Sequence, residues 1–236
     1  MSLVADRTLS ARELLDECIA FKRDHAPQSR FLRALVTGQL GRAQLERWAM
    51  DFYYYVEPAI PTIAAWLSSA PTLPDREAYK LIARNLAGEM GYLREAEHHD
   101  LYLQFCAGLG ITRERLLEHT PLASTIGAAS TMGYYCRNSF AEGLGAFGLA
   151  VEMEVPGRAG GAQVLHDGLA RHYGFDAQAM EFWAIHIAAE EEHGENAETA
   201  LLLCGQTREQ QALIRRAFRF SVLAHAAMSE GFDRFL

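Results

Sequence analysis

The chain has 236 residues, half of them hydrophobic, and a formal net charge of -8 with a pI near 5.6. That is enough apolar material for one domain spanning residues 1–236, and too acidic to offer the basic patch that nucleic-acid binding requires. Cys18, Cys106, Cys136 and Cys204 are widely spaced with no C-x-x-C pair, the N-terminus lacks a signal-peptide pattern, and no window of about 18 apolar residues offers a membrane span. A soluble cytoplasmic protein with reduced thiols, and with neither nucleic acid nor membrane as partner, is expected.

Ser10 with Glu13 three residues on reads as a capping box opening an amphipathic helix. A short helix follows near Phe31 to Val36, closed by Gly38. From Arg42 to about Ala70, the apolar residues Leu45, Trp48, Ala49, Phe52, Tyr55 and Val56 recur at helical spacing, and Pro58 and Pro61 should bend or interrupt the run. Pro74-Asp75 starts a helix running to about Met90. Gly91 loosens it, and helical patterning resumes from Glu95 to Leu109 until Gly108 and Gly110 stop it.

Thr112 opens a short helix, and Thr120-Pro121 places proline just inside the next, which carries Met132, Tyr134, Tyr135 and Phe140. The glycine-rich apolar stretch from Gly143 to Glu152 has the composition of a closely packed helix, broken by Pro156-Gly157. A further helix spans about Arg158 to Tyr173. Gly174-Phe175-Asp176 caps another, and Thr207 opens a last one reaching toward Leu236. No stretch reads as a strand, so the fold class is an all-α bundle.

One segment carries chemistry at close spacing. His186, Glu190 and His193 stand at i, i+4 and i+7, which puts all three on one face of a helix. Imidazole and carboxylate together suit zinc, iron or manganese. His186 sits within the apolar run Phe182 to Ala189, so that face is expected to be buried, and buried charges need partners or a metal. A helical bundle builds such sites from several helices. Glu89, the adjacent His98 and His99, and Glu152 and Glu154 after the glycine-rich stretch are the other candidates. A second arrangement pairs Glu95-x-x-His98 with Glu190-x-x-His193 and takes Glu57 and Glu152 as the remaining carboxylates, a ferritin-like di-iron set that leaves His186 idle.

Four segments in order, Arg84-Asn-Leu-Ala-Gly-Glu89-Met-Gly, His98-His-Asp-Leu-Tyr-Leu-Gln-Phe105, Glu152-Met-Glu-Val-Pro156 and His186-x3-Glu190-x2-His193, resemble those of haem-oxygenase-like di-iron oxidases and oxygenases, relatives of the TenA and PqqC proteins. The segment from Trp48 to Pro61 is also similar to a helix of TenA and PqqC homologues, so the resemblance covers most of the chain from about residue 30. It implies a haem-oxygenase-like helical bundle in which Glu89, His98, Glu152, His186, Glu190 and His193 hold two Fe(II) ions that react with O2 as co-substrate. The chain departs from that pattern at Glu190, a position more often held by aspartate. His99 and Glu95 are the alternatives at the second ligand segment.

The resemblance further implies an oxidoreductase acting on a small molecule. In such proteins the substrates are amino acids, amines, fatty acids or, in one branch, the protein's own side chains, and an amino acid or amine is expected here. Catalytic groups beyond the metal ligands are not indicated, and a homodimer is implied by likeness alone. Trp48, Phe52, Tyr55, Tyr134, Tyr135 and Phe147 are candidates to line the pocket, and Arg137 or Arg158 to meet an anionic group. The alternative on the same fold is metal-independent: TenA-like hydrolysis, which needs a cysteine nucleophile such as Cys136, or PqqC-like ring oxidation.

Overall fold

In the computed structural model, which describes residues 8–69 and 76–236, every regular element is helical. Helix α1 (Ala11–Asp24) opens on the expected capping box: Ser10 Oγ accepts the Glu13 amide at 3.2 Å, and Glu13 Oε2 accepts the Ser10 amide at 2.7 Å. Helix α2 (Arg30–Val36) ends at Gly38, whose φ of +73° reverses the chain. The long apolar run is two helices, α3 (Arg42–Val56) and α4 (Ala59–Ser68), divided at Glu57-Pro58. Pro58 stands just ahead of α4 and Pro61 in its first turn, where no intrahelical amide donor is required of either.

The expected start of the next helix at Pro74-Asp75 lies outside the described residues; α5 (Arg76–Glu89) is helical from the first of them. Beyond it, Gly91, Tyr92 and Leu93 have φ values of 59°, 49° and 58°, a left-handed turn that reverses the chain. A Cβ on Gly91 would sit 2.7 Å from the Ala96 carbonyl oxygen, so both its space and its dihedral call for glycine. This turn corrects one expectation. Helix does not resume at Glu95; α6 (His98–Gly108) begins at His98 itself.

Helix α7 (Arg113–Glu118) is capped by Thr112. Helix α8 (Ala123–Asn138) starts two residues after Pro121, at a point set by Asp51. That fully buried carboxylate accepts the Leu122 amide at 2.8 Å and the Thr125 hydroxyl. Phe140 is not on this helix. Ser139 is extended, and its Oγ accepts the Glu142 amide to open α9 (Phe140–Gly143), which continues as a π-helix over Leu144–Glu152. All of the π-helix except Val151 is buried, and widened turns of this kind are frequent at functional sites. Helix α10 (Gly161–His172) begins three residues later than Arg158, and α11 (Ala177–Cys204) is capped by Asp176. Helix α12 (Arg208–Gly231) opens on a Thr207 capping box and passes into a 3-10 turn, Phe232–Phe235.

Helix α11 packs against α5, α6, α10 and the π-helix, while α12 lies along the π-helix and α8. Two large apolar cores result among the described residues. One is aromatic, centred on Trp48 and Trp183, whose rings stack at 5.8 Å. The other gathers Ile63, Trp66, Ile82, Leu144, Phe147 and Phe218 around the π-helix. Each fully buried side chain of this size contributes about 1.5–3 kcal/mol. No helix among the described residues is long and apolar enough to cross a membrane.

Candidate metal centre

A cavity of about 430 Å3 opens between the two cores, with Phe52 and Trp183 from the first and Met132 and Phe147 from the second on its walls. Its polar side is built by four elements that the topology brings together. Glu89 ends α5, His98 begins α6, Glu152 ends the π-helix and His186 lies on α11; His193, also on α11, does not line the cavity. These five converge as two triads, Glu89–His98–His186 and Glu89–Glu152–His193, with the potential ligand atoms of each within 4.8 Å of one another.

Glu89 belongs to both triads through different oxygens. Its Oε2 is 3.0 Å from His98 Nδ1, and its Oε1 is 3.5 Å from His193 Nδ1. His193 Nδ1 also lies 3.4 Å from Glu152 Oε2. A carboxylate that faces two separate nitrogen-bearing groups can bridge two cations. His98 Nδ1, although near Glu89, has no partner in hydrogen-bond geometry and is buried, which is costly for a ring nitrogen unless something else engages it. The His186 ring is oriented by its own helix: Nδ1 lies 2.7 Å from the Phe182 carbonyl oxygen and donates to it, leaving the Nε2 lone pair free. The His98 and His186 rings stand 4.4 Å apart.

Electrostatics follow from this crowding. Burial alone works against charge on His193, but Glu152, with Glu89 and Glu192 behind it, outweighs burial and lifts the imidazole to about 9. Burial alone would raise Glu89; the facing histidines His98, His186 and His193 hold it below the usual carboxylate value. Burial dominates at His186 and pulls it down to about 4. His193 thus lies between two buried carboxylates that favour its charged form. Two carboxylates with histidine nitrogens, one of them orphaned, form a donor set that fits iron.

Glu190, the sixth expected ligand, stands apart from both triads. It lines the same cavity, but its Oε2 accepts the Ala162 amide at the start of α10, 3.1 Å away. Burial, reinforced by Glu152 and Glu154, lifts its carboxyl to about 7 against the pull of that amide and Lys22. His99 also lines the cavity but is grouped with Glu97 and Asp100 rather than with either triad. Glu57 and Glu95, needed for the ferritin-like arrangement, are exposed and join neither triad.

Among the expected wall residues, Phe52, Tyr55, Phe147 and Arg158 line the cavity. Tyr134 does not, being 61% exposed, and neither does Tyr135, which is buried against Ala146 and Ala217. Trp48 borders a neighbouring cavity instead, and Arg137 is spent on the Gly133 carbonyl of its own helix. None of the four cysteines reaches the wall, and burial pushes the Cys136 thiol up to about 12, which removes it as a nucleophile at neutral pH.

Two features have no signature in the sequence. Lys22 of α1 donates to the carbonyls of Val151 and Met153, the residues on either side of Glu152, and so pins the end of the π-helix. Burial draws its ammonium down to about 8, while Glu152, Glu190 and Glu154 pull the other way. His225 of α12 meets Tyr55 at the cavity wall, Nε2 to phenol oxygen, at 2.6 Å. Separations of about 130 and 170 residues hide both contacts from any local pattern.

Residues 46–226 match the family model described as iron-containing redox enzyme. The chain is 30% identical over 159 residues to the 4-aminobenzoate synthase of Chlamydia trachomatis, a match covering 66% of this chain and 64% of that protein, just under two thirds of its length. Among solved structures, it is similar to a domain with a heme oxygenase-like fold from Shewanella denitrificans, with a TM-score of 0.74, 16% identity and 96% and 93% of the two chains covered. It is likewise similar to a TenA homolog from Pseudomonas syringae, with a TM-score of 0.73, 15% identity and 98% of both chains covered. The fold is therefore haem-oxygenase-like, as the sequence resemblance implied.

Proposed function

Because the chain belongs to the family of iron-containing redox enzymes, we propose that it is a non-haem di-iron, O2-dependent oxidase or oxygenase acting on a small molecule, an amino acid or amine. The observation that carries this reading is Glu89, whose two oxygens face two different histidines at the junction of the two triads. Glu89, His98, Glu152, His186 and His193 would hold the two Fe(II) ions, with Glu190 as the sixth ligand once its carboxylate gives up the Ala162 amide. Iron bound there would supply electrons to dioxygen.

The chain's own residues set the conditions. His186 presents Nε2 because Phe182 holds its other nitrogen. Lys22 fixes the backbone on both sides of Glu152, and Phe52, Met132 and Phe147 keep the wall apolar and exclude water. Arg158 lines the same cavity, carries a permanent charge and suits the carboxylate of an amino acid. Metal-independent TenA-like hydrolysis is less well supported, because Cys136 is buried, protonated and away from the cavity. The name of the chlamydial relative makes 4-aminobenzoate the first product to assay. A homodimer in the cytoplasm, by likeness to the family, is part of the same proposal.

The test is anaerobic reconstitution with Fe(II) followed by metal analysis. The parent should bind two irons per chain, and His186→Ala and His193→Ala should each lose most of them. Iron binding by both variants at the parent's level would sink the assignment. Oxygen uptake by the loaded protein, screened over amino acids and aromatic amines, then identifies the substrate.

A further inference from the structure

Tyr55 of α3 and His225 of α12 form a hydrogen-bonded pair on the wall of the cavity that contains Glu89, Glu152 and Glu190. The direction of the bond is determined by what lies behind it. His225 Nδ1 is 2.6 Å from the Ser221 carbonyl oxygen, which can only accept, so Nδ1 carries the hydrogen and Nε2 is a bare lone pair. Tyr55 therefore donates its phenolic hydrogen to Nε2. Burial keeps this imidazole neutral, at about 4, with the Lys22 charge opposing protonation as well, and burial also raises the phenol above its usual value.

Three other phenols in the fold are held differently. Tyr54 donates to the carbonyls of Leu116 and His119, Tyr102 to that of Ala49, and Tyr173 to that of Leu35. A carbonyl cannot take a proton at accessible cost. The indoles of Trp48 and Trp183, stacked within 6.0 Å of Phe52, have no hydrogen-bond partner at all. One-electron oxidation of a phenol makes it a very strong acid, so it proceeds readily only where a base stands ready in the hydrogen bond. Tyr55 meets that condition at the cavity.

We propose that Tyr55 is a proton-coupled redox residue of this site. It gives one electron to the dioxygen-oxidised iron centre and its phenolic proton to Nε2 of His225, leaving a neutral tyrosyl radical beside an imidazolium. The proposal rests on the di-iron reading above, which supplies the oxidant. It also fits the electron count: reducing O2 to water takes four electrons, two Fe(II) ions going to Fe(III) supply two, and the rest must come from substrate, side chains or further Fe(II). When substrate is absent, Tyr55 supplies the third electron, and a further Fe(II) ion from solution, oxidised to Fe(III), supplies the fourth. The reverse transfer of one electron and the proton restores the phenol.

The experiment loads the full-length protein with Fe(II) anaerobically, mixes it with O2 without organic substrate, and freezes samples for electron paramagnetic resonance. The parent should show a tyrosyl radical whose hyperfine pattern changes when ring-deuterated tyrosine is incorporated. Tyr55→Phe should lower its yield at least tenfold at unchanged iron content, and His225→Gln should slow its formation at least tenfold. Tyr134→Phe, on the exposed face, should leave it unaltered. A radical that persists in Tyr55→Phe overturns the proposal, as does its absence from a parent that binds iron and consumes O2. Loss of iron along with the radical in Tyr55→Phe would assign the residue a structural role and also overturn it. A parent that binds no iron refutes the di-iron reading itself, and this proposal with it.

Discussion

Replacing His193 with alanine in the metal-free protein tests the electrostatics of the site directly. The imidazole is 3% exposed and lies between Glu89 and Glu152, each 7% exposed. Its folded-state value of about 9 against 6.5 for a free imidazole, at about 1.4 kcal/mol for each pH unit between them, corresponds to about 3–4 kcal/mol of stability in the charged form. Because the value is raised on folding, this contribution is fully present below 6.5 and disappears as the pH rises through about 9. His193→Ala strips the two carboxylates of their counter-charge and also leaves a small cavity, whose cost does not depend on pH. Urea unfolding of parent and variant in the presence of chelator should therefore show a deficit larger by about 3 kcal/mol near pH 6 than near pH 10. A deficit that is the same at both ends would refute the ion-pair reading of the triad and leave only packing.

Three further outcomes are expected. Iron binding requires His193 to lose its proton, so between about pH 7.5 and 9 the affinity for Fe(II) should rise about tenfold per pH unit, with close to one proton released per binding event near pH 8; competition with a chelator at several pH values checks this. Gly194→Ala places a Cβ 2.9 Å from the Glu152 carbonyl oxygen, where backbone must yield. It should cost about 1–3 kcal/mol on denaturation and reduce the bound iron, because Glu152 moves with its carbonyl. Asp51→Ala removes the acceptor of the Leu122 amide and the Thr125 hydroxyl and should cost about 1.5–3 kcal/mol, while the iron content of the folded protein stays at the parent's value.

Local signals in the chain were reliable where one residue decides a boundary. Ser10 with Glu13, Asp176 and Thr207 all cap the helices they announce, and Pro58 divides α3 from α4. Boundaries failed where a distant contact or a dihedral intervened. Asp51, 71 residues away, holds the start of α8, and the left-handed turn at Gly91 to Leu93 delays α6 to His98. That delay matters for the site, since it places His98 at the first position of its helix, facing Glu89.

The amino-acid order by itself determined an all-helical chain and put His186, Glu190 and His193 on one side of one helix, because helical periodicity relates residues within two turns of each other. Only the tertiary structure decided that the two oxygens of Glu89 meet two separate histidines, that Glu190 is held by the Ala162 amide instead of joining them, and that Tyr55 finds a base in His225. Those relations depend on how α3, α5, α6, α11, α12 and the π-helix pack. Packing joins side chains far apart in the chain, and spacing along it carries no record of such distances.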